Sequence, residues 1–161
     1  MKIFGKSLSE YVTFAKAILA VIVIVGVLRL VLSLAGVSND TVRWFSMSVV
    51  ALLGALYFGV QVAKTGFGGY RHLLPLMVVQ SGTANAIAAL GVLLAITTGR
   101  NNIFTAPEFS GGDAGNTWIH FGAHIVLGLT VIPLVLWALS SLAMLVTKKL
   151  GAPRTKAPAG V

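Results

Sequence analysis

The chain has no cysteine. That one absence excludes disulfides, thiolate metal sites and cysteine nucleophiles together. Charge is also scarce: 10% of the 161 residues are Asp, Glu, Lys or Arg, against about 25% in soluble domains. Only four of these are acids, Glu10, Asp40, Glu108 and Asp113, too few and too scattered for paired-carboxylate catalysis. What remains is apolar, with 57% hydrophobic residues and a mean hydropathy of +0.91. Such a chain reads as one compact integral membrane protein.

Crossing the hydrocarbon core takes roughly 20 apolar residues in a helix, and four segments meet that requirement. They are expected at about 12–35, 44–62, 73–96 and 118–146, within a transmembrane domain over 1–147. A basic tail over 148–161 follows. Ser7 and Glu10 have capping-box spacing, so the first helix is expected to extend backward toward Ser7 and to turn into the membrane near Lys16. Its apolar run exceeds the 7 to 15 residues of a signal-peptide core, so it is read as a retained span. Asn39 and Asp40 favour starting the second helix. Pro75 falls in the first turn of the third, where a missing N–H is tolerated. Pro133 lies inside the fourth and should kink it.

The basic residues give the orientation, because short cytoplasmic loops collect Lys and Arg. Nine lie on the side of the termini, from Lys2 to Lys156, with Glu10 as the only acid there; Arg29, Arg43 and Arg100 lie on the other, balanced by Asp40, Glu108 and Asp113. This predicts both termini in the cytoplasm, and the cytoplasmic (inner) membrane of a bacterium as the setting. The basic residues suit attraction to anionic lipid. They are spread over three segments without interleaved aromatics, so no nucleic-acid partner is expected. Loops 37–43 and 63–72 are short, and the expected architecture is all-α: four transmembrane helices in an up-down-up-down bundle. The glycines of "GFGGYR" neither follow a strand nor match a dinucleotide-binding spacing. Loop 97–117 is the exception in length. Its Ile103, Phe104, Pro107 and Phe109 suggest a segment that covers the mouth of the bundle or dips into the interface, while "SGGDAGN" reads as linker.

Polar groups at membrane depth cost energy and invite a functional question. Gln80, Ser81, Thr83 and Asn85 sit on the third helix among Gly82, Ala84, Ala86, Ala88, Ala89 and Gly91. Small residues let helix backbones approach, and Asn or Gln then bonds across the contact. Packing or self-association is therefore expected, with a polar path past Gln80, Asn85, Gln61 and Tyr57 as the alternative. Arg29 lies well inside the first apolar run, where snorkelling to the outer interface or pairing with Asp40, Glu108 or Asp113 is expected, with an anionic-ligand role as the alternative.

"NTWIHFGAHIVLG", residues 116–128, puts His120 and His124 one turn apart and about 40° around the helix from each other, facing the same way. A divalent metal shared by the pair, with Glu108 or Asp113 as third ligand, is conceivable. Phe121 stands where the zincin pattern H-E-x-x-H places its glutamate. Two histidines on one face cannot bracket a haem, and His72 lies about 30 Å away across the core. A haem would need a second copy of the chain or a single protein ligand. Thr117 caps this helix and Trp118 anchors it at the interface.

No nucleophile is set beside a base, so no enzyme is expected. The sequence names no cofactor. The leading expectation is a protein that acts by assembly, as a homo-oligomer or an accessory subunit of a larger membrane complex. The alternatives are a small oligomeric channel or transporter, and a metal- or haem-binding membrane protein using His120 and His124. Its partners are then the lipid bilayer, itself, or other membrane subunits.

Overall fold

The computed structural model describes residues 2–110 and 115–151. It is mostly helical, with four helical stretches long and apolar enough to cross a membrane: Leu8–Leu34, Asn39–Thr65, Tyr70–Thr98 and Trp118–Lys149. In chain order the elements are β1 (Lys2–Ile3), β2 (Lys6–Ser7), α1 (Leu8–Leu34), α2 (Asn39–Val42), α3 (Met47–Thr65), α4 (Tyr70–Thr98), α5 (Trp118–Leu129) and α6 (Val131–Lys149). Asp113, Arg154 and Lys156 lie outside the described residues, as does most of the expected basic tail.

The ends of these helices follow local chemistry. Ser7 caps α1: its hydroxyl accepts from the Glu10 N–H, and the Glu10 carboxylate accepts from the Ser7 N–H at 2.7 Å, completing the capping box. From there α1 runs without interruption to Leu34. Residues 2–7 form a short antiparallel hairpin that the sequence did not suggest. Its turn takes positive φ at both Phe4 and Gly5, and Phe is an unusual choice for the first position. The cost is met by contacts: the Tyr11 hydroxyl donates to the Ile3 carbonyl at 2.9 Å, and the His72 ring bonds the Phe4 carbonyl.

The second span, Asn39–Thr65, covers the expected 44–62 but is divided into two helices. Asn39 and Asp40 open only the short α2, and α3 begins after Ser46, whose hydroxyl accepts from the Val49 N–H. Helix α4 begins at Tyr70 rather than near Leu73, so Pro75 lies beyond the first turn and deprives the Arg71 carbonyl of its helical donor. The fourth span is two helices. Thr130, at φ −120° and ψ −77°, separates α5 from α6. Pro133 has no N–H for the Leu129 carbonyl, and the helix parts at the adjoining residue.

Helix α4 occupies the centre and packs against α1, α3, α5 and α6. Only one stripe of α1 is buried, Tyr11, Ala15, Ile22 and Gly26. The break at Thr130 divides the loyalties of the last span: α5 packs chiefly on α4, α6 chiefly on α3. Small residues set the closest approaches. A methyl group at Gly59 of α3 would collide with the Ser140 backbone carbonyl of α6, and one at Gly128 of α5 would stand 2.5 Å from the Asn85 Cβ of α4. Ala84, Ala88, Ala89 and Gly91 of α4 are buried within the protein, Gly91 beneath the Phe104 ring.

A stability contrast follows. Gly59→Ala forces backbone apart and is expected to cost about 1–3 kcal/mol. Gly122→Ala, which meets no neighbouring atom within 4 Å, gains helix propensity, roughly up to 1 kcal/mol. Thermal melts in detergent check this: Gly59→Ala lowers the midpoint, while Gly122→Ala holds or raises it.

Candidate functional site: a cavity walled by Arg29, Asn85, His120 and His124

Because α5 leaves α3, a space of about 680 Å³ stays open between them, with α4 behind it. Its walls are mostly apolar, drawn from Met47 and Ala51 of α3, Ala84 and Ala88 of α4, and Leu127 and Leu136 of α5 and α6. Leu52, Leu127, Val131 and Val135 both line it and are exposed on the outside of the protein. The cavity is therefore bordered by residues of α3, α5 and α6 that also reach the protein's outer surface.

The polar groups on its wall come from α1, α3, α4 and α5. His124 and Asn85 join α5 to α4 through a 3.0 Å bond between Nδ1 and Oδ1. Asn85 Nδ2 donates to the Ser81 carbonyl at 3.0 Å, which fixes Oδ1 as the acceptor for histidine. His124 therefore carries its proton on Nδ1. His120 reaches the same state by another route, since its Nδ1 lies 2.7 Å from the Gly115 carbonyl, which can only accept. The two rings stack at 4.8 Å between centroids. Each histidine is thus oriented through Nδ1, and in its neutral form it presents Nε2 as an acceptor. His72 has the opposite arrangement: its Nδ1 accepts from the Gly69 N–H at 2.9 Å, so its Nε2–H donates to the Phe4 carbonyl at 3.1 Å.

Arg29 of α1 lines the same cavity. Its guanidinium stands over the rings of Phe104 and Phe109, with the carbon 5.4 and 5.8 Å from the two centroids, a cation–π arrangement. Among the described residues it has no ion pair, and its buried Nε has no hydrogen-bond partner. The acids expected to meet it are engaged elsewhere, Asp40 with Arg43 at 3.4 Å and Glu108 with the Asn39 amide at 2.7 Å; Asp113 lies outside the described residues.

The two aromatic rings arrive on a loop that is more ordered than its sequence suggests. Ile103, Phe104, Thr105 and Ala106 are buried. Asn102 donates to the Gly91 carbonyl at 2.7 Å, the Ile103 N–H donates to Ser33 Oγ at 2.8 Å, and Arg100 donates to the Leu34 carbonyl at 3.2 Å. Glu108 adds the link to Asn39. Its own backbone N–H and the Asn39 amide hold the Glu108 carboxyl below the usual carboxylate range. The link is thus complete at neutral pH and is lost only as pH falls through that lowered value.

The structure brings together some of the residues singled out from sequence and parts others. Arg29, Asn85, His120 and His124 share one cavity. Gln80 does not belong to it: fully buried, it donates to the Ala51 carbonyl at 2.7 Å and faces Gly54, as a packing contact between α3 and α4. Neither Gln61 nor Tyr57 lines the cavity. Glu108 does not line it, and among the described residues no group of three or more His, Asp or Glu side chains could hold a metal ion. Sequence reasoning missed the Gly115 carbonyl, since nothing in residue type marks which backbone oxygen a histidine will meet.

Compared with protein-family models, curated proteins and solved structures, the chain matches none.

The bonding pattern has a direct spectroscopic consequence. Nitrogen NMR of histidine-labelled protein will report the neutral forms of His120 and His124 as Nδ1–H tautomers and that of His72 as the Nε2–H tautomer. A reversed pattern for His124 would contradict the Asn85 contact.

Proposed function

We propose that the protein is a membrane-embedded binding protein that takes up an amphiphilic molecule sideways from the bilayer. One observation carries this reading: a mostly apolar cavity of about 680 Å³ whose wall includes Arg29, Asn85, His120 and His124 and whose lining residues Leu52, Leu127, Val131 and Val135 also reach the outside of the protein. Its volume suits a small-molecule or lipid-sized ligand, since such sites run about 300–1,000 Å³ with few polar groups placed among apolar walls. In this reading the four helices form an up-down-up-down bundle with both termini in the cytoplasm. The cavity and the 97–117 loop then lie in the outer half of a bacterial inner membrane. Uptake or passage of the ligand, rather than its conversion, is the expected activity.

A second reading, assembly with further copies or with a larger membrane complex, draws on α1. Most of its circumference is free for lipid or for a neighbouring subunit, because only one stripe is buried. Native mass spectrometry separates the two: a bound small amphiphile on a single chain supports binding, whereas a stable oligomer without one supports assembly.

Filling the cavity tests the first reading directly. Ser48 and Ala123 line it from α3 and α5 and neither is buried, so a large side chain at either position can enter without breaking the core. Ser48→Trp and Ala123→Trp are expected to lower retention of the co-purifying amphiphile about tenfold or more while leaving the helical circular-dichroism signal intact. Unchanged retention in both variants would contradict the proposal.

A further inference from the structure

Three polar features of the cavity wall share a direction of need. Each of His120 and His124 has committed its Nδ1–H to an oxygen, and no hydrogen bond reaches either Nε2 among the described residues. Arg29 supplies a cation that no described acid neutralises, held in place by Phe104 and Phe109. The wall therefore offers one fixed positive donor and two fixed lone pairs.

Different occupants meet that pattern unequally. A purely apolar molecule supplies no partner to any of the three groups. A metal ion takes the two lone pairs, but it gains no third ligand from the described His, Asp and Glu residues, and the positive Arg29 on the same wall opposes it. A head group that carries both an anion and N–H or O–H donors satisfies every feature. The border at Leu52, Leu127, Val131 and Val135, which also reach the outer surface, gives its tail a way out into the hydrocarbon.

Resting on the binding reading above, we infer that the ligand is a phospholipid. Its phosphate meets the Arg29 guanidinium, and its head-group ammonium or hydroxyl hydrogens are accepted by Nε2 of His120 and His124. Its acyl chains leave between α3 and α5. Arginine suits the phosphate because its planar fork presents two parallel donors to two oxygens. The histidines add selectivity among phospholipids, since a head group without donors leaves both lone pairs unmet.

The test is competitive retention on the full chain, read by native mass spectrometry after exchange into mixed micelles. The competing lipids are phosphatidylethanolamine, phosphatidylglycerol and phosphatidylcholine with identical acyl chains. All three carry the phosphate, but the choline head group has no N–H or O–H donor. The expected result is roughly tenfold preference for the ethanolamine or glycerol lipid over the choline lipid, the worth of one to two hydrogen bonds. His120→Phe with His124→Phe brings that preference near parity, and the milder His120→Phe alone reduces it part of the way. Arg29→Gln lowers retention of all three lipids about tenfold, and Arg29→Lys recovers part of it. Equal retention of the three lipids by the unaltered protein overturns the inference, as does an unchanged preference in the histidine variants or a stoichiometric metal lost with them. If Ser48→Trp and Ala123→Trp abolish retention of a phosphate-free amphiphile that phospholipids do not displace, the head-group assignment fails while the cavity reading stands. If those two variants leave the retention of every amphiphile unchanged, the cavity reading itself fails.

Discussion

Pro133 has no N–H to offer the Leu129 carbonyl, and the rest of the structure is arranged around that missing bond. A continuous helix over Trp118–Lys149 would hold to a single axis. The parted one packs along two, α6 on α3 and α5 on α4. Gly59 lets α6 sit against α3, and Gly128 lets α5 sit against α4 beside Asn85. Between the two contacts α3 and α5 diverge, and the space they leave is the cavity. In a membrane, a break in helical bonding is tolerated where it lies within protein or borders a cavity. Here Pro133 is buried and the carbonyl before the break belongs to the helix that walls the opening.

The polar groups on the wall are inexpensive to hold because each is half satisfied by the fold. Asn85 is oriented by Ser81, and His124 by Asn85; His120 is oriented by Gly115, and Arg29 by two aromatic rings. Interhelical hydrogen bonds of this kind in membranes average about 0.6 kcal/mol and reach about 1.7. That is enough to set ring orientation, though small beside the apolar packing. What is left over, two imidazole nitrogens and one guanidinium, belongs to residues that line the cavity. The same economy explains the loop: residues 102–106 turn inward on bonds to α1 and α4, and so deliver Phe104 to Arg29.

Much of the framework was legible in the sequence. Four apolar runs of sufficient length, the Ser7–Glu10 capping box, the Thr117 cap and the Pro133 break all express local rules that act within a few residues. The pairing of His120 with His124 on one face follows from helical period alone. Other features depended on partners distant along the chain. Gln80 and Asn85 look alike in sequence, five residues apart among small side chains, but they point toward different neighbours, α3 and α5. The presence of Arg29 in the same space as the histidines needed the packing of α1 on α4. The N-terminal hairpin turns on Phe4 at positive φ, a conformation that residue type argues against and that Tyr11 and His72 support from elsewhere.

The central claim is that the space between α3 and α5 belongs to a lipid-like ligand. An experimental structure determined in a native-lipid disc tests it most directly. The account predicts elongated density that enters past Leu52 and Val135 and ends in a head group between Arg29 and the His120–His124 pair. A space closed by direct contact of α3 with α5, or one holding only a chain of waters, would contradict it.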